Sequence, residues 1–446
     1  MRNPTIRFPD FVKQTLPNGL TLLLWEDHRL PLLTFEILLK AGAICDPPQK
    51  EGLSAVTLAL LRKGTAHRTA TQFAEALDFV GGRYSVDPLL ENGLLSFEMM
   101  SMDQTLALDL LADCLRHPTF PQQEFDKKID QAIASWRQAK DNPGNVIENY
   151  FNSFLFAGHT YSRSELGDET CLANLSRAEV GGFYDRYYAP NHFIFAVAGD
   201  FSTPEMIAQI QERFGDWNAR DEILPEPAPA DGVSHSRVLL IDKPDEQQVY
   251  FCVGNIGVAV NNPDHVAVDV VETLLGGRFT SWLNTALRIH DGLTYGATAY
   301  SNRHRLPGAF IIASDTQARS VQRALTICLE QLRRLHEEGI DAETLQSTKN
   351  FIRGQYPTTL ETLDQIAGLA CDLEFYGAGP QMINTYLDKL DALTVAEVNR
   401  VAQTYFPHDK LAFVFAGPAK KLRKLVEVYG PLEELKMNSP GFYRRA

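Results

Sequence analysis

The segment Leu175-Ser-Arg-Ala-Glu-Val-Gly-Gly-Phe-Tyr-Asp-Arg-Tyr-Tyr-Ala-Pro-Asn-His-Phe-Ile-Phe-Ala-Val-Ala-Gly199 returns later in the chain as Leu393-Thr-Val-Ala-Glu-Val-Asn-Arg-Val-Ala-Gln-Thr-Tyr-Phe-Pro-His-Asp-Lys-Leu-Ala-Phe-Val-Phe-Ala-Gly417. In both copies a Ser or Thr stands three residues before a Glu, which is the pattern of a capping box at a helix start. An aromatic pair and a short apolar run ending in Ala-Gly follow. The recurrence predicts a duplicated helix–strand unit.

A linker candidate lies between the two copies, at Leu224-Pro-Glu-Pro-Ala-Pro-Ala-Asp-Gly232. Alternating prolines favour an extended backbone and do not fit inside a helix or a strand. The order of elements also recurs, because strands and then an amphipathic helix follow both Gly81–Tyr84 and Asp291–Tyr295. We therefore predict an N-terminal domain at 1–222, a linker at 223–234 and a C-terminal domain at 235–446.

Apolar residues alternate between a period of two and a period of 3.6 along the chain, which indicates mixed helix and strand structure. The pattern predicts strands at 20–25, 32–40, 83–86 and 94–99, helices at 52–61 and 71–80, and a run of helices over about 103–155. The fold class predicted is α+β, with two tandem homologous domains of one design.

The amino-acid composition excludes some classes of function. The 446 residues include 42 Lys and Arg against 56 Asp and Glu, a net charge of −14, so a dedicated nucleic-acid binder is not expected. The six cysteines are widely spaced and read as small buried hydrophobes. No signal pattern and no membrane span is visible, and we expect a cytoplasmic location, or a periplasmic one if a signal peptide has been removed.

Common catalytic motifs are missing from the sequence. It contains no phosphate-binding G-x-x-x-x-G-K-[ST], no G-x-S-x-G and no dinucleotide-binding G-x-G-x-x-G. Among the eleven histidines, none lie closer in sequence than His290 and His304. A helical zinc site needs two imidazoles about one turn apart, so this chain cannot build one locally.

The stretch Gly52-Leu-Ser-Ala-Val-Thr-Leu-Ala-Leu-Leu-Arg-Lys-Gly-Thr65 resembles the signature helix of the pitrilysin/insulinase family of zinc peptidases. The stretches Asp141-Asn-Pro143, Gly158-His-Thr-Tyr161 and Leu166-Gly167 resemble the same family. Family members read G-L-A-H-F-L-E-H-M-L-F-K-G-T at the first place, an inverted H-x-x-E-H zinc motif. Here the positions of the two metal-binding histidines and the catalytic glutamate are taken by Ala55, Ala59 and Leu58.

The third zinc ligand of the family, a glutamate, would fall between Gln131 and Lys140, where the sequence has no carboxylate. Methyl and isobutyl groups cannot hold Zn²⁺ or polarise water. We therefore expect no metal in this chain and no peptidase activity by the chain alone.

The second half resembles the family in a different way. Leu275-Gly-Gly-Arg-Phe-Thr-Ser-Trp-Leu-Asn-Thr-Ala-Leu-Arg-Ile-His-Asp-Gly-Leu-Thr-Tyr295 is similar to L-G-G-G-x-S-S-R-L-x-x-x-L-R-E-x-x-G-L-A-Y. In such peptidases the Arg and the Tyr close the active site around a peptide from the domain that faces the zinc. The resemblance implies this role for Arg288 and Tyr295, and a substrate-binding role for Gly276, Gly277 and Phe279.

Periodicity predicts one helix here, with an apolar stripe and Arg288 on a more polar face. The stripe consists of Phe279, Trp282, Leu283, Ala286 and Leu287. Gly292 should end the helix, and Tyr295 should start the next strand with its hydroxyl projecting. Two departures from the family remove polar groups, since Trp282 replaces an Arg and Ile289 replaces a Glu.

The resemblance implies a processing-peptidase-like fold with mostly antiparallel sheets, in which the chain forms half of a clamshell chamber. It implies a non-zinc-binding subunit that supplies Arg288 and Tyr295 to a homologous zinc-binding partner, in a heterodimer or heterotetramer that cuts peptides. No nucleic acid and no membrane span is expected. The alternative is a proteolytically inactive structural or peptide-binding protein of the same fold. Retention of the Arg and Tyr favours the first interpretation.

Overall fold

The computed structural model describes residues 6–443, and within them the strands form two six-stranded sheets. The strands are β1 (Val12–Thr15), β2 (Thr21–Glu26), β3 (Leu32–Leu39), β4 (Arg83–Pro88), β5 (Gly93–Met100), β6 (Phe193–Gly199), β7 (Arg237–Asp242), β8 (Gln248–Ile256), β9 (Ala297–Ser301), β10 (Ala309–Gln317), β11 (Ala412–Gly417) and β12 (Leu432–Lys436).

Helices occupy much of the remaining described chain. The α-helices are α1 (Leu53–Leu60), α2 (Ala70–Phe79), α3 (Gln104–Arg116), α4 (Gln122–Ala139), α5 (Ile147–Leu155), α6 (Glu169–Ala173), α7 (Arg177–Tyr187), α8 (Thr203–Phe214), α9 (His265–Glu272), α10 (Trp282–Asn284), α11 (Val321–Glu337), α12 (Ala342–Gln355), α13 (Leu363–Phe375), α14 (Gln381–Asn384), α15 (Tyr386–Ala392), α16 (Val395–Tyr405) and α17 (Ala419–Val426). Short 3₁₀ turns lie at Ala43–Cys45, Ser101–Asp103, Pro143–Asn145, Thr160–Ser162, Pro190–His192, Tyr356–Leu360 and Glu427–Tyr429, and π-helical stretches at Thr273–Gly277 and Thr285–His290.

The two sheets share one design. The first has the order β1-β2-β6-β3-β5-β4 and the second has the order β12-β7-β11-β8-β10-β9. In each sheet the repeated strand, β6 or β11, is parallel to one neighbour and antiparallel to the other, and the two strands beyond are added antiparallel. The outermost strand differs, because β1 is antiparallel and β12 is parallel to its neighbour. The predicted α+β class with two homologous, mostly antiparallel domains is confirmed.

The repeated sequence segment forms the same local structure twice. The Ser176 hydroxyl accepts from the Glu179 amide and the Glu179 carboxylate accepts from the Ser176 amide, so α7 begins with a capping box. Thr394 and Glu397 do the same for α16. Strands β6 and β11 that follow are buried along their whole length. The elements predicted in the first 155 residues also appear, with ends shifted by one or two residues.

Packing divides the chain into two compact units. Of the described residues, the first unit contains those up to Ala134, Arg163–Glu226 and Pro357–Asn384. The second contains Ser135–Ser162, Pro227–Tyr356 and the described residues from Thr385 onward. Each sheet therefore receives a helical segment from the other half of the sequence. The boundaries given from the sequence, with domains at 1–222 and 235–446 and a linker at 223–234, stay a prediction.

The exchanged helices cover sheet faces. In the first unit α13 lies on β3 and β6, where Ile366, Ala367 and Cys371 pack with Leu38 and Ile194. In the second unit α5 packs on β8 and β11. All six cysteines are buried, as predicted, and burial raises the pKa of the Cys45 thiol to about 12. No helix among residues 6–443 is long and apolar enough to cross a membrane.

Candidate functional site

The helix that carries the zinc-motif positions is held at its start by a buried carboxylate. Gly52 adopts a left-handed backbone with φ of 93°, which glycine accepts without a steric penalty. The Asp46 carboxylate accepts from the Gly52 amide at 2.7 Å and from the Ser54 amide at 2.8 Å. Burial raises the pKa of Asp46 to about 7, against the opposing effect of these hydrogen bonds. The helix start is thus stabilised although it offers no metal ligand.

The three motif positions are apolar and enclosed. Ala55 and Leu58 are buried and Ala59 is half-buried, on the helix α1 that packs against α7, β4 and β5. The Leu58 side chain lies over Gly93, where an added Cβ would come within 3.1 Å of it. Among residues 6–443 no group of three or more His, Cys, Asp or Glu side chains could hold a metal ion. The residues present here do not fit the zinc that the family motif implies.

The second-half segment does not form one continuous α-helix. Arg278 is extended, the Ser281 hydroxyl accepts from the Asn284 amide, and only then does α10 begin and continue as the π-helix Thr285–His290. The Asp291 amide donates to the Ala286 carbonyl at 3.2 Å, a bond spanning five residues. The predicted helix is present, but it begins only after the Ser281 cap and its second part is π-helical.

The apolar stripe is only partly as predicted. Leu283 and Leu287 are fully buried, and Trp282 and Ala286 are half-buried. Phe279 was predicted to belong to the stripe, but it precedes the helix and its side chain is 60% exposed. This part of the prediction was wrong, since a residue before the cap does not share the helical period.

Arg288 lies on the exposed ring of Phe279. The guanidinium carbon is 4.7 Å from the ring centre, within the range of a cation–π contact. Arg288 is exposed, and among the described residues its guanidinium has no hydrogen-bond or ion-pair partner. The structure thus brings together two predicted site residues, Arg288 and Phe279, and leaves the guanidinium donors free.

Tyr295 is presented on a short, well-anchored loop. Its side chain is 83% exposed, and within the described part of the chain its hydroxyl bonds to no other group. It stands two residues before β9 rather than inside the strand, which corrects the predicted position. The neighbouring Thr294 hydroxyl donates to the Gly296 carbonyl at 2.9 Å, and the Ser314 hydroxyl donates to the same carbonyl at 2.9 Å. The phenol is therefore free while the backbone beside it is held.

Asn284 is a supporting residue that the sequence analysis missed. Its Oδ1 accepts from the Ala297 amide at 2.9 Å, and its Nδ2 donates to the Arg278 carbonyl at 3.2 Å. The side chain is buried, so these bonds tie the helix carrying Arg288 to the strand that follows Tyr295. No motif marks it, because a buried amide that bridges two elements leaves no periodic signal in the sequence.

The two glycines predicted to bind substrate occupy different environments. Gly276 is buried against β9, where an added Cβ would lie 2.1 Å from the Ala299 amide nitrogen. Gly277 is exposed, and an added Cβ there would make contacts no closer than 3.4 Å. Close packing thus explains the glycine at 276, and the substrate-binding role of both positions stays a prediction.

The duplicated α+β design and the altered zinc helix place the chain among metallopeptidase-like proteins. Residues 23–169 match the family model described as insulinase (peptidase family M16), and residues 174–352 match the model described as the peptidase M16 inactive domain. The chain belongs to this insulinase family.

Relatives and solved structures agree with this assignment. An uncharacterised zinc protease of Bacillus subtilis is 23% identical over 397 residues, which cover 89% of this chain and 96% of that protein. One of Streptomyces coelicolor is 24% identical and covers 88% and 86%. The fold is shared with a peptidase M16 inactive domain from Pseudomonas fluorescens (TM-score 0.86, 21% identity, 96% of this chain and 100% of that one). It is also shared with a protease from Helicobacter pylori (TM-score 0.84, 20% identity, 92% and 99%).

Proposed function

We propose that this chain is the non-zinc-binding subunit of a heteromeric zinc metallopeptidase that cuts peptides. A homologous partner that carries H-x-x-E-H supplies the zinc, the water and the general base. This chain supplies Arg288 and Tyr295. The complex is a heterodimer, or a heterotetramer made of two such pairs.

The proposal rests on one contrast between the two halves. The three zinc-motif positions have lost every side-chain donor atom, whereas the side chains of Arg288 and Tyr295 present polar groups without a partner on a backbone held by hydrogen bonds. A phenol with a purely structural role is normally packed, with its hydroxyl hydrogen-bonded. Tyr295 is instead 83% exposed beside a loop fixed by Thr294 and Ser314. This combination is expected of a residue that meets a ligand.

The chemistry follows from the donors that these two side chains offer. Attack on a peptide bond builds negative charge on the carbonyl oxygen, and a donor placed there lowers the barrier. The hydroxyl of Tyr295 is such a donor. The planar guanidinium of Arg288 offers several N–H groups in a fork, which suits a neighbouring carbonyl or carboxylate of the substrate.

The test is reconstitution with the partner. The purified chain is mixed with a homologue that carries the zinc motif, and hydrolysis of a peptide is followed with each chain alone and with both. We expect activity only in the mixture, and a fall in turnover of about 10²–10³-fold for Tyr295→Phe or Arg288→Ala, as for loss of one oxyanion donor.

Two matched controls accompany the variants. Tyr429→Phe removes a phenol hydroxyl elsewhere in the same unit, and Arg333→Ala removes an exposed arginine of α11. Both should leave turnover unchanged. Full activity of a complex carrying Arg288→Ala together with Tyr295→Phe would refute the proposal. A complex that binds peptides without cutting them would instead establish the alternative, an inactive peptide-binding protein of the same fold.

A further inference from the structure

A second guanidinium lies on the ring of the residue that replaces an arginine of the family motif. Trp282 stands where the family reads Arg, and in the structure Arg334 of α11 lies over the Trp282 ring with its guanidinium carbon 4.0 Å from the ring centre. Helix α11 packs against this segment. A positive charge is therefore present beside Trp282, and it comes from a different element.

The two arginines are presented alike. Arg288 lies over Phe279 and Arg334 lies over Trp282, and the two rings belong to residues three apart in the chain. Both arginines are exposed. An arginine stacked on a ring is held by the face of its guanidinium plane, so the N–H groups at the edge of that plane stay available to a planar acceptor.

Neither guanidinium is neutralised strongly within the protein. Arg288 has no ion pair with any residue of 6–443. Arg334 has two acidic neighbours: Asp341, whose pKa is lowered in part by the charge of Arg334, and Glu338, 3.5 Å away on the next helical turn. Such an exposed pair contributes little. In a chain with a net charge of −14, two stacked arginines without a strong counter-ion stand out as a local positive surface.

We propose that Arg288 on Phe279 and Arg334 on Trp282 form a carboxylate-binding surface that selects peptides with acidic side chains. Carboxylates match the forked donors of arginine and make charge-assisted hydrogen bonds with them. This inference depends on the proposed function at one point only, which is that the bound peptide is a substrate.

The salt dependence of peptide binding distinguishes a local arginine site from the effect of the protein's net charge. The whole protein repels an acidic peptide, and lower salt strengthens that repulsion. A peptide held by the stacked pair should instead bind more tightly as salt is lowered. Local attraction and overall charge thus predict opposite salt dependences.

The experiment measures binding to the isolated chain by fluorescence anisotropy, with two labelled peptides of equal length that differ only in Glu against Gln. We expect the Glu peptide to bind at least about tenfold more tightly than the Gln peptide. Arg334→Gln and Arg288→Gln should each lower the affinity for the Glu peptide by about five- to tenfold and leave the Gln peptide nearly unaffected. Phe279→Leu should weaken binding of the Glu peptide in the same direction, whereas Phe279→Tyr should retain it.

The matched control is Arg333→Gln, which removes the same charge from the residue next to Arg334 and should change the affinity less than about twofold. Equal binding of the two peptides, or an equal loss for Arg333→Gln and Arg334→Gln, would overturn the inference. The readout needs neither partner nor zinc. Failure of reconstituted peptidase activity would count against the proposed function while leaving this binding result intact.

Discussion

Replacing Glu36 by glutamine should remove a large pH dependence from the stability of this protein. Glu36 lies in the middle of β3, is only 3% exposed, and accepts a hydrogen bond from the Ser96 hydroxyl at 2.6 Å. Burial raises the pKa of its carboxyl group from the ordinary 4.5 to about 8, and the carboxylates of Asp364, Asp87 and Glu98 act in the same direction. The folded protein therefore holds this proton more tightly than the unfolded chain does.

The sign of the effect follows from that difference. Below about pH 4.5 both states are protonated, so the group imposes no penalty on folding. As the pH rises towards 8 the unfolded chain ionises while the folded protein resists, and stability is lost. At 1.36 kcal/mol per pKa unit the loss is on the order of 5 kcal/mol at most, because relaxation around the carboxylate reduces it.

The assay is urea unfolding of the wild type and of Glu36→Gln at about pH 5 and about pH 9. Glutamine keeps the volume and an acceptor for Ser96 but carries no ionisable group. We expect the variant to match the wild type within about 1 kcal/mol at the lower pH and to exceed its free energy of unfolding by several kcal/mol at the higher pH. Parallel pH profiles of the two proteins would refute the assignment of the raised pKa to Glu36.

Three further changes test other features of the structure. Gly276→Ala should lower the free energy of unfolding by about 1–3 kcal/mol or more in thermal melts, because its Cβ has no room, whereas Gly277→Ala should cost less than about 1 kcal/mol. Leu58→Glu should lower the free energy of unfolding by several kcal/mol, because it buries an unpaired carboxylate, and Leu58→Met is the control. The Leu58→Glu variant should also bind no zinc tightly, because the two imidazoles of the zinc motif are still missing. Stoichiometric zinc by elemental analysis would contradict this reasoning. Thr394→Ala should cost about 1 kcal/mol in denaturant unfolding, because it removes the cap of α16, and an unchanged midpoint would contradict this.

The secondary structure and the duplication were accessible from the sequence because their signals are local. The capping boxes at Ser176 and Thr394 are pairs of residues three apart, and the strands that follow are continuous apolar runs. Alternation of period two predicted β3 and β5 to within two residues of the observed ends. The loss of zinc ligands was equally accessible, since it depends only on which side chains stand at Ala55, Leu58 and Ala59.

The geometry around the candidate site could be predicted from the sequence only in part. Arg288 and Tyr295 were identified by the motif that they share with the family, and their roles stay a proposal. The support from Asn284 and Ser314, and the stacking of Arg334 on Trp282, were not predicted. Each of these contacts joins residues from separate elements, so no spacing in the sequence indicates it.

The amino-acid sequence by itself determined which segments are helices and strands, that the same unit occurs twice, and that the zinc positions carry no donor atoms. Tertiary structure alone decided that α13 covers the first sheet and α5 the second, and that Phe279 turns outward to carry Arg288. The physical reason is the range of the interactions. Helix caps, periodicity and donor chemistry act between residues a few positions apart, whereas the choice of packing partner depends on burying apolar faces that lie far apart along the chain.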